Sequence, residues 1–444
     1  MGRPFQSRAL HVWMNGELVG AWHLPSRRAA EFVYNPDWLE SPAFRPLSLS
    51  LPASSVSSVV RGEQVNAYFD NLLPDSEAIR RRLQQRFKTA SREAFDLLAE
   101  VGRDCVGAVQ LLPVGETPAD VTRIEARPLD DEAVERALIH ATAASAWPAQ
   151  AEDDDFRISI AGAQEKTALL WHEGRWCRPL GATPTTHIFK LPLGLVGNRQ
   201  ADMRTSVENE WLCARLLQAF DISAARCEMK VFGQQKCLVV ERFDRKLHSS
   251  GEYWLRLPQE DFCQATGTPP HLKYEADGGP GMVDIGKLLA HSEARDADLR
   301  TFFKTQVLFW MLRATDGHAK NFSLFLLPGG RYRMTPMYDV LSAWPVIGNG
   351  ANQIPTHKVR LAQAWLGKNK HYLAEGIQQR HFDMTALKCG VGGQARDIVE
   401  ELVSMAPQAI ATAASSLPPG FPQDVAGAIL GGLQRSADRL GLCV

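Results

Sequence analysis

The sequence lacks the marks of several simple function classes. Its eight cysteines (Cys105, Cys177, Cys213, Cys227, Cys237, Cys263, Cys389, Cys443) include no C-x-x-C pair. Reduced, buried thiols are therefore expected rather than a zinc site or redox dithiol. No stretch approaches the ~20 apolar residues of a spanning helix, so no membrane partner is expected. Residues 1–9 carry two arginines and no apolar core of the kind a secretory signal needs, which makes the cytoplasm the expected location. A charge excess is missing too. Lys and Arg number 49 against 50 Asp and Glu, a net charge of −1, which gives no chain-wide pull towards nucleic acid or anionic membrane. Any DNA affinity would be local or borrowed from a partner.

The chain itself is ordinary for a packed protein, with 444 residues, 45% apolar and 22% charged, and the length implies two or three domains. Strand-like runs at 9–14 and 17–24 flank Asn15-Gly16, the two-residue turn of a hairpin. Asp75-Ser76 can cap a helix reaching Phe87, and 95–101 suggests another. The first of these helices carries Arg80, Arg81, Arg82, Arg86 and Lys88, read as a solvated face. Residues 1–125 therefore form a small mixed α/β unit. The stretch 117–152 turns acidic and alanine-rich, consistent with a linker and one helix. Residues 126–245 then read as a small sheet-containing lobe, with strands at 157–170, 187–191 and 238–243 and an amphipathic helix at 206–220. From 246 to 444 the chain is mainly helical, with a strongly apolar helix near 299–313. The fold class is mixed α/β, two-lobed, with an N-terminal β-rich subdomain and a helical C-terminal lobe.

The most informative segment is Ala314-Thr315-Asp316-Gly317-His318-Ala319-Lys320-Asn321, expected to be a loop at the end of that buried helix. Phosphoryl transfer to a hydroxyl needs a carboxylate to accept the proton and oxygen ligands for Mg²⁺. The spacing D-x-x-x-x-N supplies both, with Asp316 as base and Asn321 as metal ligand. A hairpin follows, with strands at 322–327 and 331–334 around Pro328-Gly329-Gly330, and it returns the chain to Tyr338-Asp339. Asp339 is the candidate metal carboxylate. Lys190, inside the apolar run Ile188-Phe189-Lys190-Leu191-Pro192, lies twenty residues before Glu210. A strand lysine held by a helix glutamate aims an ammonium at nucleotide phosphates, and either Glu208 or Glu210 could be that partner. The small-residue loop Ser159-Ile160-Ala161-Gly162-Ala163-Gln164-Glu165-Lys166 can bring amides close to phosphate oxygens. Val239-Val240-Glu241-Arg242-Phe243-Asp244-Arg245 ends a strand at the border between lobes, where an apolar wall for a base is expected. Residues 281–287 match G-x-x-x-x-G-K, but Leu288 stands where a Ser or Thr must reach Mg²⁺, so this is no P-loop.

With these residues assembled, the sequence resembles the HipA family of kinase toxins from bacterial toxin–antitoxin modules. The blocks run in order: residues 157–166, Ile188 to Pro192, Asn209-Glu210, residues 241–245, Arg256-Leu257-Pro258-Gln259-Glu260-Asp261, 315–321 and Tyr338-Asp339. Phe69-Asp70-Asn71-Leu72-Leu73-Pro74-Asp75 and Gly102-Arg103-Asp104 extend the likeness through the N-terminal unit. The resemblance implies a kinase-like fold that uses ATP and Mg²⁺ to phosphorylate a serine or threonine on another protein. An aminoacyl-tRNA synthetase such as glutamyl-tRNA synthetase is the substrate it suggests, with translation and growth as the targets. It further implies autophosphorylation at Ser159 that switches the enzyme off, and a small DNA-binding antitoxin as partner. Lys190, Glu241, Phe243, Gln259, His318 and Tyr338 become nucleotide-pocket candidates. The competing readings are a small-molecule kinase and a non-catalytic scaffold that holds a DNA-bound partner.

Overall fold

The computed structural model describes residues 8–25, 28–53, 58–142, 159, 161, 162, 164–197 and 199–442. The N-terminal unit is built on an antiparallel sheet in the order Val59–Arg61, Glu31–Tyr34, Glu17–Leu24, Arg8–Met14, Val109–Pro113. Its first hairpin turns at Asn15 and Gly16, with φ of 47° and 89°, the two positive values such a turn requires. Alternation along Arg8–Met14 sends Leu10, Val12 and Met14 inward. They join a core in which Trp22 stacks on Phe69 at 4.1 Å between ring centroids.

A second antiparallel sheet runs Cys227–Phe232, Gln235–Glu241, His187–Lys190, Lys166–His172, Arg175–Pro179, Ala126–Pro128. The stretch read as a linker thus contributes an edge strand, and helix Asp131–Thr142 lays Val134 and Leu138 against Leu169, Phe189 and Val239 on one sheet face. The opposite face carries Lys190 and Leu238, paired in register, and meets helix Ser206–Ala219. The expectation of an amphipathic helix there is corrected. It is buried round most of its circumference, because Leu212 and Leu216 enter the large core of the helical lobe while Asn209 and Glu210 face the buried Ser342 and Lys190. The strand expected from residue 157 begins only at Lys166, and 143–158 lie outside the described residues.

Helix Arg295–Leu312 is buried along most of its length and ends at Arg313, whose φ of 53° is left-handed. Strands Gln259–Asp261, Ser323–Leu326 and Tyr332–Met334 form a small sheet beside it, so the expected hairpin between the two halves of the site is present. Among the described residues no helix is long and apolar enough to cross a membrane. Seven cysteines are buried and free, while Cys443 lies outside the described residues.

Candidate active site

The loop that carries Asp316 leaves the buried helix and passes directly over Phe309. A Cβ on Gly317 would stand 2.5 Å from that ring, so glycine is needed beside the aspartate for the loop to pack at all. Asn321 closes the loop. Its Nδ2 donates to the Asp316 carbonyl at 2.7 Å and to the Asp339 carbonyl at 3.4 Å. One carboxamide thereby ties the two aspartates together, and its own Oδ1 is left for a cation. Asp339 adopts φ of 60°, a left-handed conformation Asp tolerates better than bulkier residues. The preceding Tyr338 donates its hydroxyl to the Lys320 carbonyl at 2.8 Å.

Lys190 reaches into the same cleft from the sheet. Its Nζ lies 2.6 Å from Glu210 Oε1 and 2.5 Å from Asp339 Oδ1. Glu208 points the other way, to Lys236, because residues two apart on a helix stand on nearly opposite sides. The open choice of partner thus falls to Glu210. Burial penalises all three charges. The two carboxylates nevertheless outweigh it and hold Lys190 above the ordinary lysine value, while Lys190 and Lys166 hold Asp339 well below the carboxylate range. For Glu210, burial prevails over Lys190 and its pKa is raised. The cluster is an ammonium shared between two carboxylates inside a cleft that is apolar along one side.

Of the residues singled out in the sequence, Ala161, Gly162, Gln164, Lys190, Glu241, Phe243, Gln259, Asp316, His318, Asn321, Tyr338 and Asp339 line one cleft. Phe243 meets Tyr338 and Phe325 at ring distances of 5.7 and 5.8 Å. With Ile188, Val240 and Met337 it lines an apolar side of the cleft. The Gln259 Oε1 is buried without a partner. His318 is buried against Tyr274, its Nε2 3.8 Å from Asp316 Oδ1, and burial lowers its pKa despite that carboxylate. Ser159 and Glu165 stand away from the cleft. The Ser159 hydroxyl donates to the Leu72 carbonyl at 2.7 Å and is buried, and Glu165 pairs with Arg82. Ile160 and Ala163 lie outside the described residues.

Several participants had escaped the sequence reading. Lys166 stands directly opposite Lys190 across paired strands. Two like charges in that relation repel, and burial together with Lys190 lowers Lys166 to about 8. Such a pair is suited to an anionic ligand. Alternation along the two strands was the available signal, but the register was not. Lys320, in the loop between Asp316 and Asn321, reaches Asn71 Oδ1 at 2.7 Å and Asp261 Oδ2 at 3.0 Å. The N-terminal unit therefore touches the loop that carries Asp316. It also holds the small-residue loop, since Asp75 N–H donates to the Gly162 carbonyl at 3.1 Å. Arg80 and Arg82, read as solvated, pair instead with Asp70 and Glu165.

Among the described residues no group of three His, Cys, Asp or Glu stands ready for a metal. The donors at hand, Asn321 Oδ1 and the Asp339 carboxylate, are hard oxygens. They fit an ion such as Mg²⁺, which takes one or two protein oxygens and completes its shell with water and phosphate.

Comparison with known proteins fits this geometry. Residues 158–410 match the HipA-like C-terminal domain and residues 10–112 the HipA N-terminal domain. A protein of Sinorhizobium fredii named "Putative kinase Y4mE" is 34% identical over 339 residues, covering 76% of this chain and 77% of its own. The serine/threonine-protein kinase toxin HipA of Shewanella oneidensis is 29% identical over 320 residues, covering 70% and 69%. The fold is shared with HipA solved from Shewanella oneidensis in complex with HipB and operator DNA, at a TM-score of 0.77 over 97% of each chain and 22% identity. The chain belongs to the HipA family and is a HipA-type kinase.

Proposed function

We propose that the chain is a serine/threonine protein kinase, the toxin of a toxin–antitoxin module, that transfers the γ-phosphoryl group of ATP to a hydroxyl on another protein. The observation that carries this reading is the convergence of Lys190, Glu210, Asn321 and Asp339 in one cleft with Asp316 exposed at its mouth. A nucleotide base fits between Phe243, Ile188 and Val240, and Lys166 and Lys190 offer their ammonium groups to its phosphates. Asn321 and Asp339 would hold Mg²⁺, which when bound neutralises charge on the phosphates. Asp316 accepts the proton of the attacking hydroxyl and, being 56% exposed, is open to a macromolecular acceptor. That exposure favours a protein over a small-molecule substrate.

The substrate class we propose is an aminoacyl-tRNA synthetase, such as glutamyl-tRNA synthetase, whose modification stalls translation and growth. A small DNA-binding antitoxin is the proposed partner. Support comes from the Shewanella oneidensis HipA structure, which includes HipB and operator DNA, and from the near-zero net charge of this chain. We also propose self-inactivation through Ser159. Its hydroxyl is buried at 1% exposure, so the loop must leave the Leu72 carbonyl to be modified, and a phosphate of up to about two charges prevents its return. The test is incubation with Mg-ATP and purified aminoacyl-tRNA synthetases, read by mass spectrometry. One phosphoryl group on a serine or threonine of a synthetase, absent with Asp316→Gln, is the expected result. Transfer to the chain itself with every synthetase untouched would overturn the substrate class.

A further inference from the structure

Asp316 does not stand alone at the mouth of the cleft. The hydroxyl of Tyr274 donates a hydrogen bond to its Oδ1. Tyr274 is forty-two positions away and belongs to none of the blocks discussed above. Its own placement is rigid. Asp277 and Gly279 N–H both donate to the Tyr274 carbonyl at 3.0 Å, and a Cβ on Gly279 would collide with the Leu272 carbonyl at 1.9 Å. The next residue, Glu275, is buried and anchored twice in the helical lobe, accepting the Ala364 N–H at 2.6 Å and pairing with Lys370 at 2.7 Å. The ring packs edge-on against His318 at 5.0 Å, and the Ala319 N–H of the catalytic loop reaches the Lys273 carbonyl at 3.4 Å. A rigid turn thus presents one phenol to one carboxylate. Burial and the neighbouring Asp316 raise the phenol's pKa, so it remains a donor.

We infer that Tyr274 is a positioning residue for phosphoryl transfer, fixing the Asp316 carboxylate through Oδ1 and leaving Oδ2 to take the acceptor's proton. The inference rests on the kinase reading. In the step it serves, the acceptor oxygen forms a bond to the γ-phosphorus and the bond to the β,γ-bridging oxygen breaks. The hydroxyl proton passes to Oδ2, and ADP leaves with the bond's electron pair. Without the phenol Oδ1 loses its hydrogen-bond donor, with His318 Nε2 standing 3.8 Å away, and small misplacements of a catalytic group cost up to about 100-fold.

The experiment is Tyr274→Phe, which keeps the ring against His318 and removes only the donor. The readout is ³²P incorporation from Mg-ATP into dephosphorylated casein and into the chain itself, with thermal unfolding measured alongside. The expected result is a fall in kcat of about 10- to 100-fold with KM for ATP and the melting temperature unchanged. A kcat within twofold of the native chain would overturn the inference. So would a loss that appears as a raised KM for ATP or a lowered melting temperature, since a structural role would account for it. An inactive native chain would instead overturn the kinase reading and the inference with it.

Discussion

Asp104→Asn is the substitution whose cost the structure sets most clearly. Asp104 belongs to the N-terminal unit and is buried among three guanidinium groups from the rest of the chain. Arg245 lies at 3.0 Å, Arg256 at 3.3 Å and Arg242 at 3.5 Å. Its Oδ2 also accepts Thr185 N–H at 3.0 Å and the Thr185 hydroxyl at 2.7 Å. Asp244, paired with Arg242 at 2.8 Å and Arg245 at 3.0 Å, is the other carboxylate of the cluster. Three cations face two anions, and Asn leaves three facing one. Removing one partner of a buried pair costs about 3–5 kcal/mol, and the lower end applies here because Asn keeps a hydrogen bond for Thr185. Burial opposes the charge on Asp104, but the three arginines outweigh it and hold its pKa well below the ordinary 3.8. The contribution is therefore complete above that value, lost as pH falls through the folded pKa, and absent from the variant at every pH. Urea unfolding followed by tryptophan fluorescence reads the loss, and the N-terminal unit should then unfold in a separate transition. Pairing the change with Arg256→Met should cost less than the sum of the two. A loss under about 1 kcal/mol in one cooperative transition would refute the reasoning, since it lies below the range for a buried pair.

Other consequences are as direct. Glu260 is buried, with Oε1 on the Leu49 N–H at 2.9 Å and Oε2 unpartnered, and burial raises it to about 8. It folds protonated, so its contribution declines as pH rises from its ordinary 4.5 through about 8. Glu260→Gln should flatten that slope in thermal melts, and an unchanged slope would contradict the assignment. Glu210→Gln should lower phosphoryl transfer tenfold or more while Glu208→Gln stays within about twofold, and equal effects would mean that Lys190 has no specific partner. Lys166, lowered to about 8, loses its charge above that pH. KM for ATP should rise there and Lys166→Arg should remove the rise, whereas a flat profile in the native chain would place Lys166 away from the phosphates.

What the sequence revealed was mostly local. Asp316, Asn321 and Asp339 were legible because a loop, one hairpin and the returning strand bring them together within two dozen residues. Lys190 and Glu210 were nearly so, although only helix geometry separates Glu210 from Glu208. Lys166 has no legible role in the sequence, since its place opposite Lys190 depends on strand register, which alternation alone does not fix. Asn71, Asp104 and Tyr274 were dark for a different reason. Their partners Lys320, Arg245 and Asp316 lie 249, 141 and 42 positions away, and no periodicity reports such pairings. Arg82 is corrected by a contact of the same kind, since Glu165 lies 83 positions away, whereas Arg80 turns from solvent to Asp70 and the Pro74 carbonyl within its own unit.

The central claim is tested most directly by the intact mass of the purified, unphosphorylated chain before and after Mg-ATP, beside Ser159→Ala and Asp316→Gln. The account predicts one added phosphoryl group on the native chain and none on either variant. No added mass on the native chain, or an undiminished gain with Asp316→Gln, would contradict it.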